Sequence, residues 1–299
     1  MTGQCAACGG VRLERHLRVA GEIGDDGLIP STDRFGTALG DIVRCPACGH
    51  MQLEPMPSED VLGAAYEDAE SVDYIEEEAG QRETARRILA RVEPHVNSRP
   101  VRLLDLGCWV GFLLAEAGAR GWETVGVEPS RFASGFARDR LALDVRTENL
   151  FEAELPAQGF DVVVLGDVIE HLIDPGGALD RVEQLLAPHG VLVAMLPDAG
   201  SRVARLLGRR WWSVIPTHVQ YFTRDSMATL LRRHSWTPLV VSTSPKAFSV
   251  RYYLERIGGY SKPIAGGLAR AAKGTGVAER MWAPDFRDRM LVIARRPAT

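Results

Sequence analysis

From residue 101 onward, short apolar runs alternate with longer segments in which apolar residues recur at helical spacing. This alternation of strands and helices is typical of a parallel sheet with both faces covered, because strands buried on both faces are almost continuously apolar. It predicts an α/β fold built on a Rossmann-like, seven-stranded sheet with helices on both faces. The predicted strands cover residues 101–105, 124–128, 143–146, 161–166, 190–196, 237–244 and 289–295.

The pattern upstream of this region is different. Residues 49–61 contain two prolines and a predicted turn, which mark a junction between a small module at 1–60 and a helical lid or linker at 61–99. Residues 100–299 then form the main domain, with a helical insertion interrupted by glycines at 248–284. No apolar run reaches the roughly 18 residues of a membrane span and no signal-peptide pattern is present, so we expect a cytoplasmic protein.

The stretch VRLLDLGCWVGFLL at residues 101–114 is the most informative in the chain. A predicted strand ends at Asp105 and leads into a turn with Gly107 and Gly111, where the lack of a Cβ lets the backbone approach a ligand closely. The next predicted strand ends at Glu128, whose carboxylate is placed to accept hydrogen bonds from two ribose hydroxyls. The spacing D-x-G-x-x-x-G differs from the G-x-G-x-x-G turn of dinucleotide-binding folds, and it favours S-adenosylmethionine (SAM) over NAD.

These residues resemble the class I SAM-dependent methyltransferases, and the likeness extends over residues 62–299. GDVIEHLIDP at 166–175 resembles the end of the family's fourth strand, and PTHVQYF at 216–222 resembles the acceptor-facing loop of its ubiquinone-biosynthesis-like subgroup. The resemblance implies SAM as the cofactor and implies that Asn149 holds the adenine amino group. The cofactor-binding residues predicted from the motif and the resemblance are Asp105, Gly107, Trp109, Gly111, Glu128, Asn149 and Asp167.

Trp109 departs from the pattern of the family, which usually has glycine at this position between Gly107 and Gly111. Its side chain either caps the methionine end of the cofactor or points away into the packing of the following helix. A third interpretation is that cofactor binding has been lost, which would make the chain a SAM-dead, zinc-containing binding module.

Four of the five cysteines form two C-x-x-C pairs, Cys5/Cys8 and Cys45/Cys48. Two such turns bring four thiolates together, and this donor set predicts a closed, structural Zn²⁺ site in a zinc-ribbon-like module. Such a metal would stabilise a segment that is too small to build its own core. Two disulfides are the alternative, which the lack of an export signal opposes.

A paired-cysteine module in front of a SAM-binding domain resembles the deoxysugar and natural-product C-methyltransferases, in which the zinc module helps to shape the acceptor pocket. Zinc ribbons of some ribosomal RNA methyltransferases look similar. Residues 1–60, however, carry a net charge of −4 and a single aromatic residue, Phe35, which argues against contact with nucleic acid.

Candidate catalytic residues follow the predicted strand at 161–166. Glu170 and His171 look like the pair that abstracts a proton in the sugar C-methyltransferases, where a carboxylate bonded to an imidazole would raise its basicity and fix its tautomer. A structural role in holding the loop is the alternative for this pair. His218 is a second candidate base, and its alternative role is a hydrogen bond that holds its own loop on the sheet.

Charge is distributed unevenly along the chain, whose formal net charge is −4. Residues 61–199 carry a net charge of −13 and residues 200–299 a net charge of +13. The basic last third favours an anionic partner such as a nucleotide sugar, RNA or an acidic membrane surface. Alternatively, these arginines pair with the acidic middle of the same chain.

The sequence as a whole predicts SAM-dependent methyl transfer to oxygen or carbon of a small or carrier-linked acceptor, namely a sugar or another precursor of a natural product or polysaccharide. One alternative is an RNA methyltransferase that uses the basic last third. The other is the SAM-dead binding module to which Trp109 points.

Overall fold

Strands and helices alternate along the described part of the chain, as the apolar pattern predicts. The computed structural model describes residues 3–21, 35–67, 75–97, 99–258 and 276–297, with 260, 263, 267, 268 and 270. The strands are β1 (Glu14–Leu17), β2 (Asp41–Arg44), β3 (Met51–Glu54), β4 (Arg102–Leu106), β5 (Glu123–Val127), β6 (Val145–Arg146), β7 (Phe160–Gly166), β8 (Leu186–Pro197), β9 (Gln220–Tyr221), β10 (Thr237–Thr243), β11 (Phe248–Ser249), β12 (Met281–Trp282) and β13 (Arg289–Arg295). The helices are α1 (Glu59–Glu67), α2 (Glu78–Val92), α3 (Phe112–Gly118), α4 (Arg131–Leu141), α5 (Pro175–Leu185), α6 (Arg202–Leu207), α7 (Arg224–Arg233) and α8 (Val250–Ile257).

A central sheet has the strand order β10–β13–β8–β7–β4–β5–β6. Its strands from β4 to β8 are parallel, whereas β13 and β10 are antiparallel to their neighbours. The predicted seven-stranded α/β fold is therefore confirmed. From β4 the chain moves outward to β6 and then crosses to β7 on the other side of β4. Ligands of open parallel sheets bind beyond the carboxyl ends of the strands at such a point of reversal.

Both faces of the sheet are covered, which explains the continuous apolar runs. In β7, Val162 and Val164 face a cluster that includes Leu89 of α2, and Val163 faces a cluster that includes Leu230 of α7. Because successive side chains of a strand point to opposite faces, each face needs its own helical cover.

The N-terminal residues form a small antiparallel sheet with the order β1–β2–β3–β9. Its fourth strand comes from the main domain, since Met51 lies opposite Tyr221 and Gln52 opposite Gln220. The module is thus joined to the main domain through backbone hydrogen bonds of a shared sheet.

The segments predicted to be helical are only partly so. In the predicted lid at 61–99, helices α1 and α2 flank residues 68–74, which lie outside the described part. The predicted insertion at 248–284 contains α8, but β11 and β12 pair with each other at its two ends, Phe248 opposite Trp282. Aromatic residues favour strands, which explains this departure. No described helix is both long enough and apolar enough to cross a membrane.

Candidate functional site

One large cavity lies beyond the carboxyl ends of the parallel strands. Its volume is about 1060 Å³, and it extends from the turn after β4 to the segment between β10 and β13. Of the predicted cofactor-binding and catalytic residues, all except Glu170 line it. They are Asp105, Gly107, Trp109, Gly111, Glu128, Asn149, Asp167, His171 and His218.

The glycine turn after β4 leaves no room for side chains at its two glycines. Gly107 and Gly111 have φ angles of 77° and 82°, in the left-handed region that favours glycine. A Cβ on Gly107 would lie 2.5 Å from a methyl carbon of Val168, and one on Gly111 would lie 2.6 Å from a methyl carbon of Leu143. The motif predicts that these glycines let the backbone approach a ligand, but their left-handed backbone and the side chains of Val168 and Leu143 already favour glycine here.

Two buried carboxyl groups lie at the glycine-turn end of the cavity. Glu128 accepts hydrogen bonds from the backbone N–H groups of Trp109 and Ser130, at 2.8 and 2.9 Å. Burial raises the pKa of Glu128 to about 7 despite these bonds. Burial, and then the charge of Glu128, raise the pKa of Asp105 to about 7 as well. A ligand that donates hydrogen bonds to Glu128 would stabilise its ionised form.

The Trp109 side chain has both of the placements considered from the sequence: it packs against neighbouring helices and it lines the cavity. Its backbone is left-handed, with a φ of 50°. The side chain is half-buried and packs against a cluster of Val110, Phe112 and Ala133. It also lines the cavity, so the same side chain contributes to helix packing and to the cavity wall.

Asp167 lies further along the cavity and is held by two cations. Lys246 Nζ lies 2.7 Å from Asp167 Oδ2, and an Arg289 N–H donates to Asp167 Oδ1. These two positive charges hold the pKa of Asp167 well below its usual range, even though the group is buried. Sequence reasoning missed both cations, because they come from other parts of the chain and no local motif marks them.

His171 and His218 lie next to each other, with ring centroids 4.6 Å apart. The Nδ1 atoms face backbone carbonyls, that of His171 at 2.9 Å from Thr217 O and that of His218 at 2.7 Å from Ser213 O. A carbonyl oxygen only accepts, so Nδ1 of each ring carries the proton and Nε2 is the unprotonated nitrogen of the neutral ring. Burial lowers the pKa of His171 to about 4, which keeps this ring neutral at pH 7.

Glu170 is buried behind the two histidines in a short 3₁₀ turn, Ile169–His171. Neither of its carboxylate oxygens has a hydrogen-bond partner among the described residues. The carboxylate–imidazole bond considered for the Glu170–His171 pair is thus replaced by a bond from the imidazole to a carbonyl. His171 thus bonds to the segment that carries Thr217, whereas the bond of His218 to Ser213 O lies within its own loop.

The four cysteines of the two C-x-x-C pairs form one cluster. Their Sγ atoms lie within 4.8 Å of one another, with Cys5 and Cys48 at 3.5 Å and Cys8 and Cys45 at 3.6 Å. A tetrahedral zinc with Zn–S bonds of about 2.3 Å separates its sulfur ligands by about 3.8 Å. The cluster therefore fits zinc, and the cysteines are not joined by disulfides. Cys5 and Cys45 are buried in the same core as Phe222 of the main domain.

A chain of hydrogen bonds connects the N-terminal module to the residues that follow His171. His50 follows Cys48 closely, and its Nε2 lies 2.8 Å from Gln220 Oε1. The Gln220 amide donates to the carbonyls of Leu172 and Ile173, at 3.2 and 3.3 Å. We refer to His50 and Gln220 as the module clamp, since they connect the N-terminal module to the loop that carries His171.

Basic residues of the last third pair with acids of the preceding region. Besides Lys246 and Arg289 on Asp167, these pairs include Arg224–Asp198, Arg251–Glu77 and Arg296–Glu183. These basic residues therefore pair with the acidic middle of the same chain, which is the alternative considered for the uneven charge distribution.

Aromatic side chains from several segments also line the cavity. Trp212 packs against Phe286, with ring centroids 5.9 Å apart, and Tyr253 packs against Trp282 at 5.4 Å. The neighbouring Trp211 is buried instead, with its indole N–H 3.5 Å from Asp288 Oδ2.

Sequence comparison assigns more than half of the chain to one protein family. A family model described as a methyltransferase domain matches residues 77–240. The ubiquinone biosynthesis O-methyltransferase of Bradyrhizobium diazoefficiens is 34% identical over 98 residues, which cover 31% of this chain and 38% of the relative. The chain thus spans well under half the length of this curated relative.

Solved structures with the same fold are more distant in sequence. A SAM-dependent methyltransferase from Archaeoglobus fulgidus has a TM-score of 0.51 at 17% identity, covering 76% of this chain and 100% of that one. The magnesium protoporphyrin IX methyltransferase of Synechocystis PCC 6803, solved with bound S-adenosylhomocysteine (SAH), has a TM-score of 0.50 at 14% identity, covering 73% and 84%. These likenesses concern the fold alone.

Proposed function

The chain belongs to the methyltransferase-domain family, and we propose that it transfers the methyl group of SAM to an oxygen or carbon atom of a small or carrier-linked acceptor. The observation that carries this proposal is a single cavity with two chemically different ends. At one end are the glycine turn and the carboxyl group of Glu128; at the other are His171, His218 and the Asp167 ion pairs. Methyl transfer requires such a cavity, because the sulfonium and the acceptor must meet in line.

The residues at the glycine-turn end fit an adenosyl group. Glu128 has a buried carboxyl group that lines the cavity, in the position expected for a ribose partner. Asn149, exposed at the cavity edge, would reach the adenine. SAM supplies an activated methyl on a sulfonium, and Trp109 and Asp167 line the same cavity.

The histidine end suits removal of a proton from the acceptor. With its Nδ1 proton held by the Thr217 carbonyl, the His171 ring has Nε2 as its proton-accepting atom, and the same holds for His218 with Ser213, although burial lowers the pKa of both rings and so weakens them as bases. Glu170, which is buried next to both rings, would act through them. The aromatic residues that line the cavity, such as Trp212 and Tyr253, favour an acceptor with a ring, as in a sugar or another natural-product precursor.

The four-cysteine cluster is proposed to hold a structural Zn²⁺. Its sulfur separations match a tetrahedral site, and all four protein ligands are present, so no position is open for catalysis. Through the module clamp of His50 and Gln220, the metal would keep the loop at Leu172 in place.

The two alternative functions have less support. The basic last third is the argument for RNA methylation, but its described residues that pair with Asp167, Asp198 and Glu77 already neutralise acids of the same chain. The SAM-dead alternative requires Trp109 to close the cofactor site, but Gly107 and Glu128 still line the cavity.

The proposal is tested with SAM labelled in its methyl group. The purified protein is incubated with labelled SAM and, in separate reactions, a catechol, a nucleotide sugar and bulk RNA. We expect label in a small molecule together with stoichiometric SAH, and loss of both with Glu128→Ala. Label in RNA alone, or failure of the wild-type protein to bind SAM, would overturn the proposal.

A further inference from the structure

A stack of three side chains from separate parts of the chain lies beside the cavity. The guanidinium carbon of Arg210, which follows α6, lies over the Tyr260 ring, 5.4 Å from its centroid. Tyr260 packs in turn against Phe35 of the N-terminal module, with ring centroids 4.6 Å apart, and its hydroxyl donates a 2.7 Å hydrogen bond to Arg210 O. Both rings line the cavity, and Arg210 is exposed. A ring contact and a hydrogen bond thus fix the position of Arg210.

A second stack of the same composition is centred on helix α8. The guanidinium carbon of Arg256 lies 4.3 Å from the ring centroid of Tyr252, whose hydroxyl accepts a hydrogen bond from an Arg256 N–H. The Tyr252 ring stacks on Phe248, with centroids 4.1 Å apart and an angle of 23° between the rings. All three residues line the cavity. The order of arginine, tyrosine and phenylalanine therefore occurs twice.

The two stacks are neighbours along α8. Tyr252, Arg256 and Tyr260 recur every four residues, and residues four apart lie on the same face of a helix. The helix ends at Ile257, and the hydrogen bond from the Tyr260 N–H to Ile257 O closes a further turn. All three recurring side chains line the cavity. We call the two stacks together the arginine–tyrosine wall, which consists of Phe35, Arg210, Phe248, Tyr252, Arg256 and Tyr260.

Arginines and aromatic rings bind different parts of one class of ligand. A guanidinium that lies on a ring keeps N–H groups in its own plane, and these donate in pairs to phosphate oxygens. Aromatic side chains stack with nucleobases, since every base has a π-face. The cavity volume of about 1060 Å³ exceeds the roughly 300–1,000 Å³ usual for the pocket of one small ligand. The cavity therefore has room for such a group besides the cofactor.

We propose that the arginine–tyrosine wall binds the carrier end of the acceptor, and that this carrier is a nucleoside diphosphate. Its base stacks on the aromatic rings, and its phosphates accept hydrogen bonds from Arg210 and Arg256. The group to be methylated then extends towards His171 and His218, which line the same cavity. This inference rests on the proposed function and deepens it, because it names the chemical class of the carrier.

The test titrates nucleoside diphosphates into the full, zinc-containing chain by calorimetry, with saturating SAH so that the adenosyl site is occupied. UDP, TDP, ADP and GDP are each compared with inorganic pyrophosphate and with the corresponding nucleoside. We expect micromolar binding of at least one nucleoside diphosphate, at least tenfold tighter than either fragment, because base and phosphates contact different side chains of the wall. This binding should weaken as salt is added, since it includes ion pairs with phosphate.

Variants locate the bound nucleotide. Arg210→Gln removes one phosphate donor at an exposed position, and we expect at least fivefold weaker nucleotide binding. Arg256→Gln is the second variant and should weaken binding by a similar factor. The control, Arg205→Gln, changes an exposed arginine of α6 that is not part of the wall and keeps the wild-type affinity. SAH affinity, measured without nucleotide, should be unchanged in all three variants.

The outcomes separate this inference from the proposed function. The inference is overturned if none of the four nucleoside diphosphates binds the folded wild type, or if pyrophosphate binds as tightly as they do. Equal nucleotide affinities of Arg205→Gln and Arg210→Gln would overturn it as well. SAH binding that persists in such a protein leaves the proposed methyl transfer intact. Failure of the wild type to bind SAH contradicts the proposed function instead, and the same titrations then test the wall without SAH.

Discussion

The backbone N–H of Trp109 donates a 2.8 Å hydrogen bond to Glu128 Oε2. The residue that departs from the family's glycine is thus bonded, through its main chain, to the carboxylate predicted to hold the ribose. Any residue except proline has this N–H group, so the link between the turn and Glu128 does not depend on the indole ring.

Replacement of Trp109 by glycine should therefore retain cofactor binding. Trp109→Gly relieves a left-handed conformation that costs a non-glycine residue roughly 1–2 kcal/mol, and it keeps the N–H donor to Glu128. We expect the SAH affinity, measured by calorimetry, to stay within about threefold of the wild type, which is a difference of about 0.7 kcal/mol in binding free energy. A loss greater than tenfold would mean that the indole itself holds the cofactor.

Cofactor affinity should increase with pH. The pKa of Glu128 is about 7, and the ionised carboxylate is the better acceptor for ribose hydroxyls. At pH 6 most of the unliganded protein has this group protonated, so binding must displace a proton, whereas at pH 8 it does not. SAH affinity should rise by about tenfold between pH 6 and pH 8. Glu128→Gln should abolish this dependence, and a flat or falling profile in the wild type would show that Glu128 does not accept from the ligand.

The module clamp should stabilise the fold independently of the metal. Gln220→Leu leaves the buried His50 ring and the carbonyl of Leu172 without their hydrogen-bond partner. The free energy of unfolding should therefore fall by about 1–3 kcal/mol. Urea unfolding should show this loss while zinc content remains at the wild-type level. Gln184→Leu, at an exposed position, is the matched control and should change the free energy of unfolding by less than about 0.5 kcal/mol. Equal stability of the two variants would show that the clamp is not formed.

Zinc content should depend on four of the five cysteines. Cys45→Ser removes a thiolate from the cluster, and we expect the zinc-to-protein ratio, measured by mass spectrometry of the metal, to fall well below one. The melting temperature should fall as well, because Cys45 shares a core with Phe222. Cys108→Ser is the control, since Cys108 lies outside the cluster. If the two variants retain the same zinc, the cysteine cluster is not the metal site.

The parts of the site that the sequence predicted are local in the chain. Asp105, Gly107, Gly111 and Glu128 belong to one strand–turn–helix–strand unit, so their spacing alone indicates where they lie. All of them line the cavity, as the motif predicts. The strand bounds were also predictable, because the buried strands are almost continuously apolar.

The missed interactions connect distant parts of the chain. Arg289 reaches Asp167 because β13 returns antiparallel beside β8, and Lys246 follows β10, which pairs with β13. The contact of His50 with Gln220 spans 170 residues and depends on the pairing of β3 with β9. No periodicity or spacing in the sequence reports such contacts, since they arise from the tertiary arrangement of the sheets.

The central claim is that the glycine turn and Glu128 form an adenosyl pocket, and calorimetric titration of SAH into the purified protein tests it most directly. We predict micromolar binding at pH 8 that weakens at least tenfold in Glu128→Ala, a change of about 1.4 kcal/mol, and is unchanged in the exposed control Glu154→Ala. The absence of SAH binding by the folded, zinc-containing wild-type protein would contradict the account, as would equal affinities in the two variants.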